Sequence, residues 1–211
     1  MGPLPADAFL RGYFGQRFES FSLFPVIQNM PLSDEGNLWI QARNGDRKAF
    51  ARLFDLHASA LYRFASRLLG PGPDAEDVVQ DVLLSMLQHD KFDPSRGSLR
   101  TYLFGAVRNQ AVKRQRVVLE ELSPFVPSRE ATPDQEMARL QTSSALATAI
   151  KALPWSQREV LLLVHYEDLS LKEVAEVLEL ELAAVKSRLH RAREGLRIIL
   201  QPLLVPKGDR R

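Results

Sequence analysis

The sequence predicts an all-α protein: two small helical bundles joined by a flexible linker, the C-terminal one containing a helix-turn-helix. Three observations carry this. Leu38, Ile40, Phe50, Leu53, Phe54, Leu61, Phe64, Leu68 and Leu69 recur at spacings of three and four, the period of a helix face. Ser156 with Glu159, and Ser170 with Glu173, have the spacing of capping boxes that open helices. Residues 117–139 gather Pro124, Pro127 and Pro133 with five acids, without helical period before Thr132, as a linker does. The expected division is an N-terminal extension at 1–32, a bundle at 33–116, a linker at 117–139, a second bundle at 140–201 and a tail at 202–211.

Composition limits the function classes. At 211 residues and 45% hydrophobic content the chain is long and apolar enough to fold, which excludes disorder throughout. A net charge of +2 means that polyanion binding must come from local patches. With no cysteine there is no disulfide, thiolate metal site or cysteine nucleophile, and the four histidines lack ligand spacing. No metal site, catalytic residue or cofactor is expected. No stretch reaches the ~20 apolar residues of a membrane-spanning helix, and Phe21–Ile27 lacks a basic region leading into a cleavage site, so no membrane insertion is expected. A cytoplasmic location follows.

The first 32 residues hold five of the eleven phenylalanines and no sustained period. Two readings stand side by side: translation starting at Met30, or an extension whose aromatics dock on the body or a partner. From Asp34 to Gln88 the pattern is helical, with a turn at Asn44 and Gly45 and a break at Gly70–Pro73. Asp74 is expected to cap the next helix, with Glu76 and Asp77 in its first turn. Residues 92–116 carry Arg96, Arg100, Arg108, Lys113, Arg114 and Arg116, with no acid between Pro94 and Leu119, interleaved with Phe92, Tyr102 and Phe104. Cations for the backbone and rings for unstacked bases suit a single-stranded nucleic-acid surface. The competing assignment gives Phe92 to the core, where Leu99, Leu103 and Val107 are expected in any case. Thr132, Pro133 and Gln135 resemble a helix start.

Leu169 to Arg197 organises the C-terminal bundle. Leu171, Val174, Ala175 and Leu178 mark a short helix, followed by a break at Glu179 to Leu182. Val185, Leu189, Ala192, Leu196 and Ile199 then share one face of a longer helix, with Lys186, Arg188, His190, Arg191 and Arg193 on the rest. Glu173, Glu176, Glu179 and Glu181 sit on the supporting helix and turn, so the second helix is the face attractive to phosphate. Val160 to Val164 supply the core of a third helix.

The stretches DAEDVVQDVLLSML, FDPSRGSLRTYLFGAVRNQAV, LPWSQREVLLLVHYEDLSLKEVAEVL and VKSRLHRARE, in this order and spacing, resemble the extracytoplasmic-function (ECF) sigma factors of bacterial RNA polymerase. The resemblance covers roughly residues 36–116 and 140–200. It implies a factor that binds core RNA polymerase and directs promoter-specific initiation by reading minus-35 duplex and melted minus-10 DNA. Asp77, Gln80, Asp81 and Leu84 would meet the clamp helices of the largest subunit, and the second-largest subunit's flap is a further implied contact. Arg96, Ser98, Arg100, Tyr102, Asn109, Lys113 and Arg114 would serve the minus-10 element, and Lys186, Ser187, Arg188, His190 and Arg191 the minus-35 element. An anti-sigma factor is an implied partner, and the nucleoid the implied location of the holoenzyme. Many members have Gly where Glu179 stands, Gly-Thr at Ala183 and Ala184, and an acid at Lys113. The alternatives are a helix-turn-helix regulator acting as an operator-binding dimer, and a nucleic-acid enzyme, for which the acids at 74–81 lack a nearby His or Lys.

Overall fold

The structure, a computed structural model, describes residues 32–88, 92–93, 97–121 and 137–204. The Phe-rich extension, Met30, His89, Arg96, the Thr132–Pro133 helix start and the end of the tail lie outside the described residues. Within the described residues are eight α-helices and no strand, as expected from the periodicity. They are α1 (Leu32–Arg43), α2 (Arg47–Leu69), α3 (Pro73–Gln88), α4 (Leu99–Glu121), α5 (Met137–Ala152), α6 (Trp155–His165), α7 (Leu171–Leu178) and α8 (Leu182–Leu204). Two compact units result, one from residues up to Ser66 with Gly70–Gln110, the other from Arg67–Leu69 and Ala111 onward.

In the first unit, α1 stops at the turn Asn44–Gly45, where Gly45 takes a φ of +92° that costs glycine little. Asp46 then caps α2: its Oδ1 accepts from the backbone N–H of Lys48 at 2.8 Å and of Ala49 at 3.2 Å. Such a cap contributes about 1 kcal/mol. Helix α2 buries Phe50, Leu53, Phe54, Leu61 and Phe64, and α3 buries Ala75, Val78, Val79, Val82, Leu83 and Met86. Helix α3 begins one residue before the expected cap, so Asp74 lies inside its first turn. Gly72 supplies the opening carbonyl, accepting from Ala75 and Glu76, and Pro73 at the first helical position has no N–H to satisfy. Ser98 caps α4 through Oγ, which accepts from the Thr101 N–H at 3.1 Å. Helix α4 buries Leu99, Leu103, Phe104 and Val107 and continues to Glu121, past the boundary expected at 116.

In the second unit, α8 packs against α5, α6 and α7. Ala149, Ile150, Leu153, Val160, Leu161, Leu162, Leu163, Val174, Val177, Leu178, Val185, Leu189 and Ala192 form the core. Val164, expected with them, is only partly buried. Arg158 holds the end of α5, donating to the carbonyls of Lys151 at 2.6 Å and Leu153 at 3.1 Å.

The expected Ser156/Glu159 capping box does not form: α6 opens at Pro154 with no side-chain cap, and Glu159 turns into the core. At Ser170 the box does form. Ser170 Oγ accepts from the Glu173 N–H at 3.3 Å while Glu173 Oε2 accepts from the Ser170 N–H at 2.7 Å. Helix α7 closes in a Schellman motif: Leu180 donates to the Ala175 carbonyl and Glu179, left-handed at φ +53°, donates to that of Glu176. The Glu181 carbonyl, accepting from Ala184 and Val185, starts α8, which places Ala183 and Ala184 in its first turn. A capped short helix, a three-residue turn and a longer helix make the helix-turn-helix.

Candidate nucleic-acid and protein interfaces

Burial of Val185, Leu189 and Ala192 fixes which way α8 faces. Lys186, Ser187, His190, Arg191 and Arg193 are exposed on the remaining surface. Arg191 lies along its own helix, donating through Nη2 to Ser187 Oγ at 3.3 Å and through Nε to the Ser187 carbonyl at 3.4 Å. Its guanidinium and the Ser187 hydroxyl are thus held side by side, one turn apart, as a joint donor group. Arg193 meets His165 at 3.1 Å across to the end of α6. Ile199, expected on the apolar face, is exposed, as are Ile198 and, on α1, Ile40, whereas Leu196 is partly buried.

Arg188 is set differently from its neighbours. Its Nη1 donates to Glu159 Oε1 at 3.2 Å, and the other oxygen of that carboxylate accepts from Trp155 Nε1 at 3.1 Å. The Glu159 side chain is 1% exposed and that of Arg188 28%. No local sequence signal marks this pair, whose members stand 29 residues apart.

The basic stretch of α4 is also sorted by burial. Tyr102, Asn109 and Lys113 are spaced by two turns and one, which puts them on one side of the helix. Tyr102 is half-buried and the other two are exposed; Arg108 Nη1 donates to Asn109 Oδ1 at 3.1 Å. Phe92 and Phe104, expected among the stacking rings, are core residues at 7% and 1% exposure. Phe92 stands edge-on to Trp39 at 5.2 Å and tilted against Tyr102 at 5.4 Å, while Phe104 meets Phe64 edge-on at 5.4 Å. Of the three rings only Tyr102 is open to a base; Phe92 supports it from below. Burial also pushes the Tyr102 hydroxyl above its ordinary pKa, so it stays a neutral donor.

Arg100 and Ser98 leave the expected group. Two residues before Tyr102, Arg100 is turned about 200° around the helix. It is partly buried, lies 5.7 Å from the Phe104 ring centroid, and its charge acts on Glu35 and His57. His57 is buried, and burial first and Arg100 second lower its pKa from 6.5 to about 4. At neutral pH it is uncharged, so its 3.8 Å approach to Glu35 is not an ion pair. Ser98 is occupied as the cap of α4, and Arg114 is half-buried.

On α3 the four candidate residues do come together. Asp77, Gln80, Asp81 and Leu84 follow at i, i+3, i+4 and i+7, opposite the buried Val78, Val79, Val82 and Leu83. Asp77 and Asp81 are exposed, and Gln80 and Leu84 are partly so. The result is an acidic ridge with an apolar edge, suited to a partner carrying basic side chains on an apolar ground.

Two helical units, the second a helix-turn-helix with a basic exposed helix, have the form of a DNA-binding protein, and comparison with known proteins narrows the class. Residues 53–117 match Sigma-70 region 2, and residues 143–196 match Sigma-70, region 4. The chain is 35% identical over 162 residues to the ECF RNA polymerase sigma factor SigL of Mycobacterium tuberculosis, covering 74% of this chain and 90% of that one. Its fold is similar to that of CnrH, solved with the cytosolic domain of CnrY, at a TM-score of 0.62 and 32% identity, over 79% of this chain and 96% of that one. It is also similar to the sigma factor RpoE of Bartonella quintana, solved with the anti-sigma factor NepR, at a TM-score of 0.58 and 31% identity, over 73% and 98% of the two chains. The chain belongs to the ECF sigma factors of RNA polymerase.

Proposed function

We propose that this sigma factor divides promoter-specific transcription initiation among three faces: α3 binds core RNA polymerase, α8 reads minus-35 duplex, and α4 captures melted minus-10 DNA. The observation that carries the reading is the outward placement of Lys186, Ser187, His190 and Arg191 on the second helix of the helix-turn-helix. A helix so docked meets base edges in the major groove with its N-terminal half, where these residues lie. On α4, Tyr102 offers the ring, Asn109 an amide and Lys113 a cation, which together suit a base that has left the stack.

The α3 ridge suits the clamp helices of the largest polymerase subunit, and the flap of the second-largest is the partner we assign to the second unit. Each DNA face carries few cations, so affinity depends on polymerase holding both faces at once, when the second contact becomes intramolecular. RpoE and its anti-sigma factor NepR support an anti-sigma partner here too. Among the described residues no helix is long and apolar enough to cross a membrane, and we place the protein with RNA polymerase in the cytoplasm. Its chemistry is recognition; the relatives are initiation factors.

Initiation by reconstituted holoenzyme on duplex templates and on templates pre-melted at the downstream element tests the division. A Tyr102→Ala variant fails on duplex and recovers on the bubble. An Arg191→Ala variant loses on the order of 1–3 kcal/mol of upstream discrimination and is not rescued. Equal rescue of both would refute the assignment.

A further inference from the structure

We propose that Arg188 is a positioning residue: the hydrogen-bond chain Trp155–Glu159–Arg188 fixes the roll of α8 on α6 and thereby aims Lys186, Ser187, His190 and Arg191, while Arg188 itself reads no base. This rests on the minus-35 reading of α8.

Glu159 is the anchor. A carboxylate at 1% exposure is tolerated only when its charge is paired and its oxygens are occupied, and here Trp155 Nε1 takes one oxygen and Arg188 Nη1 the other. If Arg188 swung out to DNA, this buried carboxylate would lose the hydrogen bond that ties α8 to α6. The contact also has a geometric role that apolar packing does not fill. Val185, Leu189 and Ala192 hold α8 down, but apolar contact is non-directional and leaves a helix free to roll by part of a side chain's width. A charge-assisted hydrogen bond is directional. It is made in the middle of the reading segment, with Lys186 and Ser187 just before it and His190 and Arg191 just after. A change of roll there re-aims all four together.

The test is selection by full-length holoenzyme from a duplex pool randomised over the upstream element, compared among wild type, Arg188→Met, Glu159→Gln, the double variant and Arg191→Ala. With Arg188 as a positioning residue, Glu159→Gln and Arg188→Met flatten the enriched motif across all its positions to a similar degree, about tenfold in selectivity. Arg191→Ala instead blurs one or two positions. The slope of log affinity against log salt stays at the wild-type value in Arg188→Met, whereas loss of a phosphate-contacting cation lowers it by about 0.9.

The double variant removes the buried charge together with its Arg188 partner, so it folds even where Arg188→Met is impaired, and it keeps the flattened motif. The proposal is overturned if Glu159→Gln retains or sharpens the wild-type motif, as a released base-reading Arg188 would make it do, if Arg188→Met loses a single position, or if the double variant regains full selectivity. A wild-type holoenzyme that enriches no upstream motif overturns the minus-35 reading beneath it.

Discussion

Glu179 ends α7 at φ +53° and ψ +47°, a left-handed conformation in which a Cβ crowds the carbonyl oxygen that follows. Glycine has no such penalty. Glu179→Gly is therefore expected to stabilise the second unit by about 1 kcal/mol, read as a higher denaturant midpoint at unchanged m-value. His57 acts through protons. Its folded pKa, about 4, lies below the 6.5 of an unperturbed imidazole, so between these values the unfolded chain binds more protons. The stabilisation from keeping His57 neutral is present above pH 6.5 and lost as pH falls toward 4, on the order of 3 kcal/mol at most. Glu35 opposes it: burial raises its carboxyl above 4.5 despite Arg100, so its share of stability falls as pH rises through that window. Unfolding curves at pH 7 and pH 5 check the sign, and His57→Leu should flatten the difference.

Helix α8 does two jobs at once, packing on α5, α6 and α7 while presenting a basic surface. The close approach that permits this is visible at Gly195, where an added Cβ would lie 2.8 Å from Leu153 Cδ2. Leu153 is buried, so its side chain has little room to retreat. Gly195→Leu is expected to destabilise the second unit by about 1–3 kcal/mol, measured by thermal unfolding, although leucine is the better helix former. The α3 element shows the simpler case, in which one strongly apolar side leaves Asp77, Gln80, Asp81 and Leu84 together on the other.

At the scale of the molecule, a net charge of +2 spread over two units gives neither DNA face a strong field of its own. Promoter binding should therefore follow polymerase binding. Asp77→Arg combined with Asp81→Arg reverses the exposed acids of α3 and is expected to weaken core polymerase binding at least about tenfold, with the circular dichroism spectrum unchanged. Titration of labelled protein with core enzyme measures this, and Arg191→Ala serves as the variant whose core affinity stays at the wild-type value. A folded double variant with undiminished affinity would move the interface away from α3.

The helices themselves were legible in the sequence, since a 3.6-residue period, the Ser170–Glu173 box and the break at Glu179 are local patterns with local physical causes. So was the outward placement of Asp77 and Asp81 on α3, because a single apolar stripe leaves only one complementary face. Which residues of the basic segments point outward was decided by tertiary structure. Phe104 sits where a stacking ring would suit but packs on Phe64, and Arg100 lies over the Phe104 ring, its charge acting on Glu35 and His57. Glu159 has a capping partner's spacing from Ser156, yet pairs with Arg188, 29 residues away. A helical period tells which residues share a side; what lies against that side is set by elements distant in sequence, and the cost of burying a charge or a ring edge is settled only there.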